Sequence, residues 1–199
     1  MLVLAINGSP KPHGNTAQAL EAALEQINRA GIQTRIETIG GLLLHGCTGC
    51  GACSGGKPCV HKDDAASIIE LMRSADGLII GSPVYYGGIT GQLKCLLDRA
   101  YYSGAAQQSA RVCAGLVVQR RTGGMDALRQ IENYFALSSV YLVPTRYWSI
   151  LHGAAPGEVA QDLEGMANAR LLGERMAAML RGALPTPPDA ERARTNFVR

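Results

Sequence analysis

Four cysteines within thirteen residues, Cys47, Cys50, Cys53 and Cys59, gather soft ligand atoms into one short glycine-rich stretch. Three thiolates at three-residue intervals can wrap three corners of a cubane, and a fourth a few residues on reaches the last iron, so a [4Fe-4S] cluster is the natural candidate. The run departs from the bacterial ferredoxin pattern, because five residues separate the last two cysteines and Pro58 precedes the final one instead of following it. Structural zinc fits less well, since its ligands usually come as two pairs on a longer spacer that lets them close a tetrahedron. Plain thiols at a subunit contact are the alternative to a metal site.

A second chemical segment lies near the start, Asn7-Gly-Ser-Pro-Lys-Pro-His-Gly-Asn-Thr16. Ser9, Asn15 and Thr16 bring hydroxyl and amide groups, Gly14 lets the backbone turn, and a helix starting there would aim its free N–H groups and positive dipole at an anion. That suits a phosphate monoester. The segment lacks both the Gly-Lys-Ser/Thr of a Walker loop and the Gly-x-Gly-x-x-Gly dinucleotide fingerprint. An ordinary strand-to-helix turn capped by Asn15 or Thr16 is the alternative. A third segment, Gly81-Ser-Pro-Val-Tyr-Tyr-Gly-Gly88, offers apolar surface at Pro83 and Val84 and backbone N–H groups near Tyr85 to Gly88, which suits a planar aromatic ligand. Gln119-Arg-Arg-Thr-Gly-Gly124 could wall its other side.

Smaller features read as structural. His13 either touches the ligand of its loop or faces solvent, and His45 and His61 flank the cysteine run without ligand spacing. Asp98-Arg99 reads as a local charge pair or a subunit contact, and Tyr147-Trp148, ending the fifth strand on the ligand side, could cover a bound ring but reads rather as core or interface. Cys95, in a helical pattern, and Cys113, in a strand pattern, are expected to be small buried hydrophobes.

These segments must be held by alternating strands and helices. Strands are expected at Leu2–Asn7, Gln33–Ile39, Gly77–Ser82, Val112–Val118 and Val140–Thr145. Helices follow the first four, with Asp63-Asp64 as an N-cap before Ile68, and a long final helix runs from about Glu158 to Arg181. This rhythm calls for an α/β three-layer sandwich, a five-stranded parallel sheet of flavodoxin-like order 2-1-3-4-5 with helices on both faces. Ligands of such sheets sit at the carboxyl ends of the strands, where every segment above falls. Residues 1–181 read as one domain with a cysteine-rich insertion at 44–62, and 182–199 as a tail rich in proline and polar residues.

No apolar run approaches the roughly 20 residues of a membrane span and no signal peptide is evident, so a cytoplasmic protein is expected. A net charge of +3 is too small to imply nucleic acid. Clustered cysteines also fit a reducing compartment.

The combination NGSPKPHGNT, SPVYYGGITGQLKCLLDR and a Gly-Gly turn after the fourth strand resembles the NADPH-dependent FMN reductase group of the flavodoxin-like superfamily, in order over roughly residues 1–180. The cysteine run followed by Asp63-Asp64 is similar to the iron-sulfur flavoproteins of that superfamily. The resemblance implies that Ser9, Lys11, Gly14, Asn15 and Thr16 hold the FMN phosphate, that Pro83, Val84, Tyr85, Tyr86 and Gly87 hold the isoalloxazine edge, and that Arg121, Thr122, Gly123 and Gly124 hold its remaining flank. It implies an FMN-dependent oxidoreductase that passes electrons between FMN and a [4Fe-4S] cluster on Cys47, Cys50, Cys53 and Cys59. NAD(P)H is a candidate substrate and a small molecule or protein the other electron partner. No catalytic acid or base is required of the protein. The family assembles as dimers or tetramers with the flavin near the subunit contact, which would give the segment after Tyr101 and the tail a packing partner. A cluster-free NAD(P)H-dependent FMN or quinone reductase is the alternative.

Overall fold

The computed structural model describes residues 1–104 and 110–183. Expectations for residues 184–199 of the tail lie outside the described residues, and those for the segment after Tyr101 are covered only in part.

The chain runs β1 (Leu2–Asn7), α1 (Asn15–Arg29), β2 (Gln33–Thr38), α2 (Ala65–Ser74), β3 (Gly77–Pro83), α3 (Gly91–Tyr102), β4 (Val112–Gln119), α4 (Gly124–Ala136), β5 (Tyr141–Leu142), β6 (Ile150–His152) and α5 (Leu163–Leu180). All pairings are parallel, and the sheet has the expected order β2-β1-β3-β4-β5, with β6 also on β4. Strand alternation sorts the core into two layers. Leu4, Ile6, Leu78 and Ile80 pack with α2, α3 and α4, while Val3, Ala5 and Ile79 pack with α1 and α5. Buried on both faces, β3 and β4 are continuous apolar runs, as parallel strands covered on both sides must be. No helix among the described residues is long and apolar enough to cross a membrane.

The fifth strand differs from the uninterrupted Val140–Thr145 expected. Tyr141 and Leu142 pair with Val112 and Cys113, the chain then leaves the sheet, and it returns at Ile150 to pair with Val117 to Gln119. Pro144 has no N–H to give the ladder, so the strand breaks there. Helix α5 takes up the freed backbone groups. Arg175 donates to the Pro144 carbonyl at 2.7 Å, and the Asn168 amide accepts from the Arg146 and Tyr147 N–H groups while donating to the carbonyls of Tyr147 and Trp148. Tyr147-Trp148 therefore belongs to this excursion, and the strand end on the ligand side is Ile150–His152.

The final helix also starts later than expected. Glu158–Gln161 forms a 3₁₀ turn, and α5 begins at Leu163 behind Asp162, whose carboxylate accepts from Gly165 N–H at 2.8 Å. Helices α1 and α5 meet so closely at Gly173 that a Cβ there would overlap the Ala23 carbonyl oxygen. Gly173→Ala must push the two backbones apart, and we expect it to cost about 1–3 kcal/mol of stability, read as a lower urea midpoint with an unchanged slope.

Candidate functional site

The first loop is organised by a buried amide. Asn7, out of solvent at the end of β1, accepts from Ser9 N–H at 3.1 Å and donates to the Thr38 hydroxyl at the end of β2. The Ser9 hydroxyl oxygen accepts from Lys11 N–H at 3.1 Å, which curls the loop back toward α1. Helix α1 begins behind an extended Gly14 with no side chain capping it, leaving its first-turn N–H groups available to an anion. Ser9 and Thr16 are buried beside that terminus and Lys11 is exposed. Asn15 turns elsewhere. Its amide donates to the Ala155 carbonyl and accepts from the Gly157 and Val159 N–H groups, clamping the segment after β6, so the main chain is what Asn15 has left to offer a phosphate.

The loop after β3 closes on itself. Tyr85 and Gly88 exchange two backbone hydrogen bonds of 2.9 Å, and Tyr86 and Gly87 between them take φ values of 51° and 77°, the left-handed pair of a type I′ turn. The turn leaves the N–H groups of Tyr86 and Gly87 without a partner among the described residues. Gly123, at φ 91° after β4, comes so near that a Cβ on it would sit 3.1 Å from the Gly87 Cα. The two loops thus form adjoining walls, and the Pro83–Gly87 and Arg121–Gly124 segments meet as expected. Arg121 and Thr122 are exposed at the rim.

Residues that the sequence reading missed hold these walls. Thr90 caps α3 by accepting from Leu93 N–H and donates to the Gly8 carbonyl at 2.8 Å, joining the first loop to the second. Ser82 accepts from Thr90 N–H, and Gln130 from Ile89 N–H. Gln119 accepts from Gly124 N–H at 2.7 Å and, through its amide nitrogen, meets His152 Nε2 at 2.9 Å. Asp162, buried at the α5 terminus, accepts from His152 N–H. Burial disfavours its charge, but the hydrogen bonds from His152 and Gly165 prevail and lower its pKa. Thr90 had a readable signal, a threonine three residues ahead of the first apolar residue of a helical stripe. Gln119, His152 and Asp162 become neighbours only through the sheet.

The four cysteines of the insertion line one cavity of about 500 Å³, together with His61 and Arg99. Among the described residues no three His, Cys, Asp or Glu side chains converge on a point that could hold a metal. The thiols share a chamber without being drawn together. The Cys50 sulfur accepts from the Ala52 N–H and the Thr48 hydroxyl, which lower its pKa and favour the thiolate. Cys113 is buried, and that burial pushes its thiol up to about 12. Cys95 is only half-buried, its sulfur 3.7 Å from where a Cβ on Gly46 would stand, so it sits at the root of the cysteine loop instead of deep in the core.

The root of that loop is a buried ion pair. Arg99 does not pair with Asp98, which instead accepts from Lys94 and Tyr134. Arg99 Nη1 lies 2.6 and 2.8 Å from the two oxygens of Asp63, and the side chains are 2% and 0% exposed. Asp63 also accepts from the His45 N–H, the His45 ring and the Ala65 N–H, while Asp64 accepts from Leu43 N–H and makes no capping bond of its own. Burial opposes the Asp63 charge, but Arg99 and His45 hold its carboxyl well below the usual carboxylate range.

Residues 1–155 match the model of a family described as NADPH-dependent FMN reductase. The chain belongs to this family. It is an FMN-dependent oxidoreductase. An iron-sulfur flavoprotein of Methanocaldococcus jannaschii is 36% identical over 189 residues, 91% of this chain and 98% of that one. Among solved structures, an NAD(P)H:quinone oxidoreductase from Methanothermobacter marburgensis superposes with a TM-score of 0.68 at 19% identity, over 87% of this chain and 94% of that one. A flavodoxin from the domain Archaea gives a TM-score of 0.62 at 11% identity, over 91% and 99%. The fold is flavodoxin-like.

In this family member the Asp63 carboxylate ties the cysteine loop to helix α3. Its lowered pKa means that it adds stability above the unfolded carboxylate value, near 4, and that this contribution is lost as pH falls toward the depressed native value. Asp63→Asn leaves Arg99 charged and unpaired, so we expect a loss of about 3–5 kcal/mol at pH 7. The gap between wild type and variant should hold constant above about pH 5 and narrow below about pH 4, as measured by urea unfolding across that range.

Proposed function

We propose that this chain is an electron-transfer flavoprotein in which FMN works with a [4Fe-4S] cluster held by Cys47, Cys50, Cys53 and Cys59. The observation that carries the reading is that all four thiols line a single cavity, walled also by three side chains with nitrogens that have no partner among the described residues, His61 Nε2, Arg73 Nε and Arg99 Nε. Buried arginine N–H groups without acceptors, beside an imidazole nitrogen that can also carry a hydrogen, suit a group that brings sulfur acceptors with it. The naming of the M. jannaschii relative as an iron-sulfur flavoprotein agrees. When bound, FMN exchanges a hydride or single electrons and the cluster exchanges single electrons, so together they couple two-electron to one-electron partners.

The chain's own part is binding, orientation and electrostatics. The α1 terminus with Ser9, Lys11, Gly14 and Thr16 holds the FMN phosphate. Pro83, Val84 and Tyr85 give the ring system an apolar edge, and the free N–H groups of Tyr86 and Gly87 face its polar edge, where fixed donors favour added negative charge. Arg121 to Gly124 close the flank. We further propose that residues 1–181 act as one domain with a cysteine-rich insertion at 44–62, in a cytoplasmic homodimer or homotetramer in which the cluster of one subunit faces the flavin of another. The loops that receive FMN stand at the start of α3, whereas the cysteine cavity takes in Arg99, Tyr102 and Ser103 at its end. The eight residue steps from Gly91 to Arg99 span about 12 Å of helix, which separates the two sites within one chain.

A second reading is a cluster-free NAD(P)H-dependent FMN or quinone reductase. The thiols not being gathered on a point favours it, and the exposed Arg120 and Arg121 are available to nucleotide phosphates.

An anaerobic absorption spectrum of the purified protein, with iron and acid-labile sulfide counted on the same sample, separates the two. We expect flavin bands over a broad shoulder and about four irons per chain. Flavin bands without iron would leave the reductase reading.

A further inference from the structure

We infer that Arg99 is a positioning residue of the cysteine site with two separable roles: its guanidinium fork staples both ends of the thiol loop, and its buried positive charge, set beside Cys59, raises the reduction potential of the group the thiols bind. The inference rests on the cluster reading above.

The staple is visible in the bonding. Arg99 Nη1 donates to the His45 carbonyl and Nη2 to the His61 carbonyl, each at 3.3 Å. His45 stands two residues before Cys47 and His61 two residues after Cys59, so one guanidinium closes the segment that carries all four thiols. Asp63 fixes the guanidinium plane with both carboxylate oxygens. Only a planar fork reaches three separate acceptors in this way, and a lysine ammonium would have to abandon some of them.

The charge follows from burial. Arg99 lines the same cavity as Cys59 with a side chain 2% exposed, and its charge interacts electrostatically with the Cys59 thiol. Its Nε has no partner among the described residues. A positive charge shielded from water and close to a thiolate stabilises an added electron, and hydrogen bonds to sulfur act in the same direction. Asp63 offsets part of that charge, but it is held on the side of the His45 backbone and ring. The net effect of the pair is therefore a dipole whose strength depends on both members.

The test is a redox titration of anaerobically purified wild type, Arg99→Lys, Arg99→Gln and Asp63→Asn. The reduced cluster is followed by electron paramagnetic resonance, iron per chain is counted on each sample, and circular dichroism checks the fold. Arg99→Gln should disfavour reduction by about tenfold, which is about 59 mV for a one-electron couple. Arg99→Lys should keep the wild-type midpoint within about twofold in the same equilibrium while holding less iron, because it retains the charge and loses the fork. Asp63→Asn should shift the midpoint in the direction opposite to Arg99→Gln. If Arg99→Gln holds no iron, the Lys and Asn variants carry the comparison. Equal midpoints in every iron-loaded variant would overturn the charge role, and full iron in Arg99→Lys would overturn the staple. Wild type with flavin and no iron would instead sink the cluster reading itself, and this inference with it.

Discussion

The ion pair between Asp63 and Arg99 is the constraint on which the cysteine-bearing part of this molecule depends. Among the described residues it is the ion pair with both side chains almost wholly out of water. Burying two charges is expensive, and the attraction between them repays that cost only when their remaining donors and acceptors are also satisfied. Here they largely are: the carboxylate takes five hydrogen bonds from Arg99, His45 and Ala65, and the guanidinium adds two backbone carbonyls. The loop it anchors is rich in glycine and poor in large apolar residues, so it has little hydrophobic burial of its own to offset the entropy of being ordered. A polar anchor replaces the missing core.

The side proposed for FMN is built on the opposite principle, with the main chain forming the surface and side chains serving as its scaffold. Ser82, Thr90 and Gln130 spend polar atoms on neighbouring backbone groups, while Asn7 and Gln119 each join a backbone N–H to a second side chain, Thr38 and His152. What remains for a ligand is the helix terminus and the N–H groups of a tight turn. Such donors are fixed before any ligand arrives, so little reorganisation opposes binding. The near contact of Gly87 with Gly123 excludes side chains between the two walls and brings the backbones together.

The strand order and the positions of β1, β3 and β4, to within a residue, were legible because buried parallel strands are continuous apolar runs. The breaks in that reading have physical causes that pattern alone does not carry. Pro144 splits the fifth strand, yet whether the chain returns to the sheet depends on Asn168 and Arg175, two residues on α5 that look like ordinary surface polar groups in sequence. Asp98 and Arg99 are adjacent in sequence and invite a local pairing, but adjacent helix positions face different directions. Arg99 accordingly looks inward to Asp63, and Asp98 looks along the helix to Lys94. Asn15 likewise reads as a phosphate ligand from its loop and is drawn away by a segment some 140 residues later, which no local window contains.

Helix α3 links the two regions. At its first turn Thr90 fastens the first two FMN loops to each other, along its length Cys95 touches the root of the cysteine loop, and at its last turn Arg99 fastens both ends of that loop. A helix is stiff over this length, so the two sites cannot approach each other by any small rearrangement of loops. The same rigidity holds the two ends of α3 about 12 Å apart along the axis and fixes the relative orientation of the loops fastened there. Tyr102, in the last turn of α3, and Tyr86, in the turn after β3, both stand exposed, so each end of this rigid link carries an aromatic side chain turned to solvent.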